Sequence, residues 1–306
     1  MVALLTRAHF VGRVAVLTTA GVLSVAKPSS NPAFCAEMAA GNIKSPDFAA
    51  WDSIVKAHVK PSEIRGIAVN AVDYQAIRDD PNFEAFVKSL ETATTSGLGK
   101  EAEYALFINS YNALAIKMVV DNPCKKSIFG LKKSAIASIK DIGTLVSPVW
   151  KKPAGVVGGE VLSLDDIENV KLRAPKDYPA DPLLHACIVC ASVSCPDVAL
   201  TAYKPETLQA DMEANMRRFL ASPKKGLSLD KARGVITLSK VFQWFESDFT
   251  TKAGNASVLD ALLPYMPDDV RTYVSENKGG LRVEHFDYDW GLNGESPGAP
   301  GKGGRC

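Results

Sequence analysis

The sequence predicts a mixed α/β (α+β) protein: one globular domain with a central buried helix and a small sheet. Three observations carry that expectation. The chain has 306 residues, 46% hydrophobic and 23% charged, enough to bury one sizeable core. The stretch from Tyr104 to Val120 is apolar almost all round, as a helix enclosed on every side must be. Short β-like runs bounded by Gly and Pro alternate with longer segments of helical period.

The first 36 residues read as a cleavable export signal. No acidic residue precedes Glu37, Arg7 and Arg13 lie before the apolar run Val14 to Ala26, and small residues with Pro follow from Lys27 to Ala36. That is the basic, apolar, small order of a signal peptide. Cleavage is expected after Ala26, Ala33 or Ala36. Removing Arg7, Arg13 and Lys27 would take the formal charge from +1 to about −2. The run is too short to remain as a membrane anchor. Its Pro-Ala-Phe-Cys-Ala ending is similar to thylakoid-lumen and bipartite plastid signals, so the expected destinations are the secretory pathway or a plastid lumen.

Past the signal, the domain is expected over residues 45–293. Trp51 to Val59 has helical spacing, with His58 as a partly exposed helix residue. Val72 to Tyr74 starts a second unit. Asn82 to Leu90 reads as a helix presenting Phe83, Phe86, Val87 and Leu90 on one face. In the Tyr104 to Val120 helix, Asn109 and Asn112 are three residues apart and buried, so each amide needs a partner. They either satisfy loop backbone or orient a catalytic histidine. Residues 122–150 carry weak periodicity and read as turns or loops.

Ala154 to Leu162 reads as a hairpin about Gly158 and Gly159, leading to Ser163, which caps a helix with Asp166 in the reciprocal position. Glu168 and Arg173 are expected to form an ion pair. Leu183 to Val189 reads as a buried strand, with His185 and Cys187 on one face and Cys190 on the other. Pro205 opens a helix from Glu206 to Leu220, Val235 to Leu238 is a strand, and Ser239 caps a helix from Lys240 to Phe249. The last strand ends near Tyr288 to Asn293. Residues 294–306 form a flexible Gly/Pro-rich tail.

The chemistry concentrates in one segment: between His185 and Pro196 lie a histidine and three of the six cysteines. A thiol becomes a useful nucleophile when a base or positive charge lowers its pKa. Cys190 is therefore the candidate nucleophile, His185 its base, and Asn109 or Asn112 the orienting group, a Cys-His-Asn logic in a different chain order. Export raises the expectation of disulfides. Cys124, Cys187, Cys190, Cys195 and Cys306 allow two bonds and one leftover thiol, with Cys190–Cys195 as a candidate pair and Cys306 a candidate leftover. Zinc held by His185, Cys187, Cys190 and Cys195 is disfavoured by the opposed strand faces. Redox exchange through Cys187 and Cys190 lacks a thioredoxin-like setting.

A net charge of +1 with no Lys/Arg stripe excludes a nucleic-acid surface. The glycines from Gly155 to Gly159 fit neither a P-loop nor a dinucleotide fingerprint, so no cofactor is expected. A small molecule, a peptide or a protein remains as partner.

Several stretches together resemble the domain-of-unknown-function 547 family: Phe107 to Asn112, Gly158-Gly159 with Leu162 to Glu168 and Arg173, His185 with Cys190 and Ser194 to Pro196, Val241 to Phe249, and Tyr288 to Asn293. The resemblance spans about Trp51 to Asn293. It implies His185, Cys190 and Cys195 as the transferable site residues, and no established activity. The chain departs in Ala191, where the family usually has Gly, in Asn169, where His is common, and in Cys187, where an apolar residue is usual. Two functions are expected to compete: a thiol hydrolase or acyltransferase, and a non-catalytic binding or scaffold domain clipped by a Cys190–Cys195 disulfide.

Overall fold

The computed structural model describes residues 48–125, 134–144, 146–175, 179–299 and 306. The signal reading of residues 1–36 lies outside them, as do residues 300–305 of the tail. Helix α1 (Phe48–His58) buries Phe48, Trp51, Ile54 and Val55, the face its helical spacing predicts. Strands β1 (Val59–Ile64) and β2 (Ile67–Val72) then form an antiparallel hairpin. Arg65 and Gly66 both take positive φ at its tip, the requirement of a tight two-residue turn. Val72 therefore closes a strand instead of opening a unit. The next helix, α2 (Tyr74–Asp79), starts on the side chain of Asp73, which accepts from the Ala76 N–H. Asp80 caps α3 (Pro81–Leu90) in the same way, and Trp51 stacks on Phe86 of that helix at 5.4 Å.

Helix α4 (Lys100–Asp121) is the expected central element, with every residue from Tyr104 to Ile116 buried. Around it stand α2, α3, the hairpin of β3 (Pro153–Val157) and β4 (Glu160–Ser163), and helix α6 (Leu208–Leu220). Gly158 turns that hairpin at φ +59° and donates its N–H to Leu90 O at 2.9 Å. A Cβ there would meet Ala93 O and Thr95, so the turn needs glycine both for its conformation and for its docking. Ser163 and Asp166 make the expected capping box on α5 (Leu164–Asp166). The helix then widens into π-helical turns over Ile167–Leu172, closed by Arg173 N–H to Glu168 O at 2.8 Å. Such widened turns recur at functional sites.

Residues 183–189 are not a strand. Pro182–Ala186 is a 3-10 helix whose cap, Asp181, accepts from the Leu183 N–H at 2.9 Å. The Asp-Pro pair that reads as a strand boundary is a helix cap followed by proline at the first position.

Helix α6 starts at Leu208, two residues after the predicted Glu206. Strands β5 (Leu227–Asp230), β6 (Val235–Leu238) and β7 (Arg282–His285) form a sheet in that order, β6 and β7 being parallel. Ser239 caps α7 (Lys240–Trp244) as expected, but the predicted single helix breaks at Phe245 and resumes as α8 (Glu246–Phe249). The final strand stops at His285, and residues 286–293 lie outside any strand apart from an isolated bridge between Leu292 and Ser192. A disulfide joins Cys124 to Cys306, so Cys306 is not the leftover thiol. Cys187, Cys190 and Cys195 are free. Among the described residues no helix is long and apolar enough to cross a membrane.

Candidate functional site

The backbone leading into Cys190 is clamped from the central helix. Asn112 donates to Cys187 O at 2.8 Å and accepts from the Val189 N–H at 2.8 Å, so one amide pairs with loop backbone as a strand would. Asn109 does the same for Tyr203, donating to its carbonyl at 2.7 Å and accepting its N–H at 3.0 Å. Both asparagines thus satisfy loop backbone, and neither hydrogen-bonds His185. Their effect on the site runs through the main chain.

Past Cys190 the chain reverses through Ala191, which holds φ +59°. That left-handed conformation costs a non-glycine residue about 1–2 kcal/mol. Replacing Ala191 with glycine, which itself loses about 0.5–1 kcal/mol of backbone entropy on folding, is expected to stabilise the fold by up to about 1 kcal/mol, read as a higher urea midpoint.

The reversed loop is stitched to the chain end. Val193 and Ser194 donate to Gly291 O and Asp289 O at 2.8 and 3.2 Å, and Asn293 donates to Ala191 O at 3.1 Å. Asn293 is itself held by the Tyr74 hydroxyl at 2.5 Å. These bonds bring the Tyr288 side chain onto the cysteine.

Cys190 Sγ consequently sits among donors: Cys195 Sγ at 2.8 Å, Ser192 Oγ at 3.2 Å and Tyr288 Oη at 3.3 Å. The Ser192 hydroxyl, with its one proton, can turn instead to Tyr288 Oη at 3.1 Å. Hydrogen bonds, first from Cys195 and then from Ser192 and Tyr288, outweigh burial and lower the Cys190 thiol to about 7. Cys195 moves the opposite way, well above the ordinary range, through burial and the neighbouring Cys190 charge. Cys187 is pushed up to about 12 by burial, and its thiol faces Leu183 O at 3.3 Å. It does not converge with the other two, and no group of three metal-ligating side chains is found among the described residues.

His185 is 3% exposed and is bonded to Asp248 instead of Cys190, Nε2 to Oδ2 at 2.9 Å. It stacks on Phe245 at a centroid distance of 4.1 Å, the residue at which α7 and α8 part. Burial lowers its pKa against the pull of Asp248, so the imidazole is neutral at pH 7, with its proton on Nε2 toward the carboxylate. The 3-10 helix is what turns His185 away from the position a strand would give it. Asp248 also takes Arg173 in a two-point bond, Nε at 2.5 Å and Nη2 at 3.0 Å, and Lys252 at 2.7 Å. Burial pushes the Asp248 carboxyl up, but these three donors hold it far below the usual carboxylate range. Arg173 thus pairs with Asp248 rather than with the expected Glu168.

Glu168, on the π-helical turns, accepts from one side chain among the described residues, the neutral Tyr111 hydroxyl at 3.4 Å. Burial raises its carboxyl to about 7 despite Arg173. Glu168, Arg173, His185, Cys190 and Cys195 all line one cleft of about 330 Å³, near the lower end of small-molecule sites. Its outer wall is aromatic: Trp244 lies 4.7 Å from Tyr288 and 5.7 Å from Trp290, and Trp150 lies 6.0 Å from Trp290.

Sequence reasoning located His185, Cys190 and Cys195 in one site and missed what surrounds them. Tyr288 and Asp248 are distant in the chain, and only their place in the family resemblance marked them. Glu168 was visible as a charge in a packed region, the signal of an unusual carboxyl. Residues 95–220 match the protein family described as "Protein of unknown function, DUF547". No curated protein and no solved structure matches the chain.

Proposed function

We propose from the geometry that this chain, whose residues 95–220 match the model of the DUF547 family with no activity in its description, is a thiol-dependent acyl-transfer or hydrolytic enzyme with Cys190 as nucleophile. The observation that carries this reading is the sulfur itself, which faces a cleft, is held among three side-chain donors, and is lowered to about 7. A thiol lowered in this way carries a larger thiolate share at neutral pH than an ordinary cysteine, which is a few per cent ionised.

In this reading the Cys190 thiolate attacks the carbonyl carbon of a thioester or amide, and the sulfur's charge passes to the carbonyl oxygen. As the tetrahedral adduct collapses and the bond from the carbonyl carbon to the leaving sulfur or nitrogen breaks, Glu168 protonates that leaving group. The acyl group on Cys190 then passes to water or another acceptor, whose proton returns to Glu168, a carboxyl near 7 being populated in both forms at working pH. His185 acts through structure: with Asp248 and Arg173 it fixes the cleft wall, and it takes no proton from Cys190. The aromatic wall favours an acyl group with an apolar or ring-bearing face. A location outside the cytosol belongs to this reading: the basic, apolar, small order of residues 1–36 resembles an export signal, and the Cys124–Cys306 bond supports it, since such bonds persist in oxidising compartments.

The test is a burst assay with an activated ester and a small acyl thioester, followed by peptide mass spectrometry. Acyl adduct is expected on Cys190 alone, at a rate that rises with pH about a midpoint near 7. Cys190→Ala is expected to lower turnover about 10³-fold or more. An alanine variant that turns over at the parent rate, or a Cys190 that never acylates, overturns the reading and leaves a binding or scaffold domain.

A further inference from the structure

Acyl transfer leaves one feature of the site without a use, the second sulfur. Cys190 Sγ and Cys195 Sγ lie 2.8 Å apart, closer than unbonded sulfurs ordinarily rest and about 0.8 Å beyond the ~2.05 Å of a disulfide bond. Two devices maintain that approach. The left-handed Ala191 folds the loop back, and Cys195 N–H to Ser192 O at 3.2 Å closes it. The Cys190 N–H points at Cys195 Sγ from 3.0 Å. The loop cannot drift open, because Val193 and Ser194 are pinned to the backbone of residues 289–291. The sulfurs are also unequal in access: Cys195 is 5% exposed, whereas Cys190 is only partly buried and opens to the cleft.

We propose that Cys190 and Cys195 are a redox-active dithiol that exchanges with low-molecular-weight disulfides admitted to the cleft, Cys190 attacking and Cys195 resolving. A cleft of about 330 Å³ takes a small disulfide more readily than a folded protein's. The Cys190 thiolate attacks one sulfur of the external disulfide, its S–S bond breaks, and one thiolate leaves and is protonated from solvent. Cys195 then gives its proton to the second departing thiolate as its sulfur attacks Cys190, which closes the Cys190–Cys195 bond. The protein dithiol loses two electrons and two protons, and the external disulfide becomes two thiols. The resolving sulfur needs almost no movement. This inference shares with the acyl-transfer reading only the nucleophilic character of Cys190, and stands if no acyl substrate exists.

The experiment equilibrates the reduced full chain with reduced and oxidised glutathione at a series of ratios, quenches with iodoacetamide, and fragments the peptide carrying residues 187–195. Cys190 and Cys195 are expected to lose alkylation together, yielding the internally bonded peptide, with glutathionylated Cys190 only transient. In Cys195→Ser, glutathione is expected to accumulate on Cys190 to about one equivalent. A wild-type Cys190 that stays alkylatable at every ratio, or that collects glutathione while Cys195 remains free, overturns the proposal. The wild-type measurement decides it even if the serine variant does not fold. Acyl adduct without dithiol oxidation would sink this proposal alone, and dithiol oxidation without acyl adduct would sink the acyl-transfer reading alone.

Discussion

Asp248→Ala is expected to destabilise the protein by about 3–5 kcal/mol, the usual cost of removing one partner from a buried ion pair. Asp248 is 5% exposed and serves His185, Arg173 and Lys252 at once. Alanine strands the Arg173 guanidinium between the ring of Phe245, 4.7 Å away, and Asn169. It also leaves the Nε2 proton of His185 without its acceptor. For a domain of this size the loss corresponds to a melting temperature lower by roughly 6–20 °C. Asp248→Asn keeps the shape and one oxygen and should recover part of it. The pH dependence has a definite sign. A carboxyl held below its unfolded value contributes stability that is present above about pH 4 and is lost as pH falls from there. The alanine variant should therefore show a shallower loss of stability in acid. An alanine variant melting within about 2 °C of the parent would mean that Asp248 holds nothing in place.

Glu168→Gln carries the opposite sign. The folded-state carboxyl is raised from 4.5 to about 7, so between those values the folded protein binds a proton that the unfolded chain does not. Stability from that proton is complete below about pH 4.5 and is lost as pH rises through 7. Glutamine mimics the protonated carboxyl at every pH. It should match the parent near pH 4.5 and exceed it at pH 8 by about 3 kcal/mol, from 1.36 kcal/mol for each pKa unit. Urea midpoints at the two pH values check this. The same substitution removes the proton donor assigned to Glu168, so acylation of Cys190 should slow while its alkylation by iodoacetamide does not. Equal stabilities at pH 8 would place Glu168 among ordinary surface carboxylates, with no part in proton transfer.

What was legible in the sequence follows from what local patterns encode. The long helix was readable because a run apolar on every face has few other structures open to it. The hairpin at Gly158 and the capping box at Ser163 were readable because each is a contact within a few residues. The segment 183–189 was misread because short apolar runs fit a buried strand and a buried helical turn equally well. Asp181 followed by proline suits a strand boundary and the start of a helical turn equally. His185 and Cys190 line one cleft, as their nearness in sequence suggests, but they do not pair with each other. Sequence proximity cannot show that a 3-10 turn sends one side chain to Asp248 and the next loop sends the other to Tyr288. Those partners lie 63 and 98 residues away, beyond anything periodicity reports.

The stitching of residues 289–293 to the Cys190 loop has a consequence in time. A chain is made from its N-terminus, so Cys190 emerges 98 residues before Tyr288. Throughout that interval the sulfur lacks the hydroxyl that helps to ionise it, and the loop lacks the C-terminal segment that holds its turn. The thiol is thus blunt while the chain is being made. It becomes reactive only once the final segment docks.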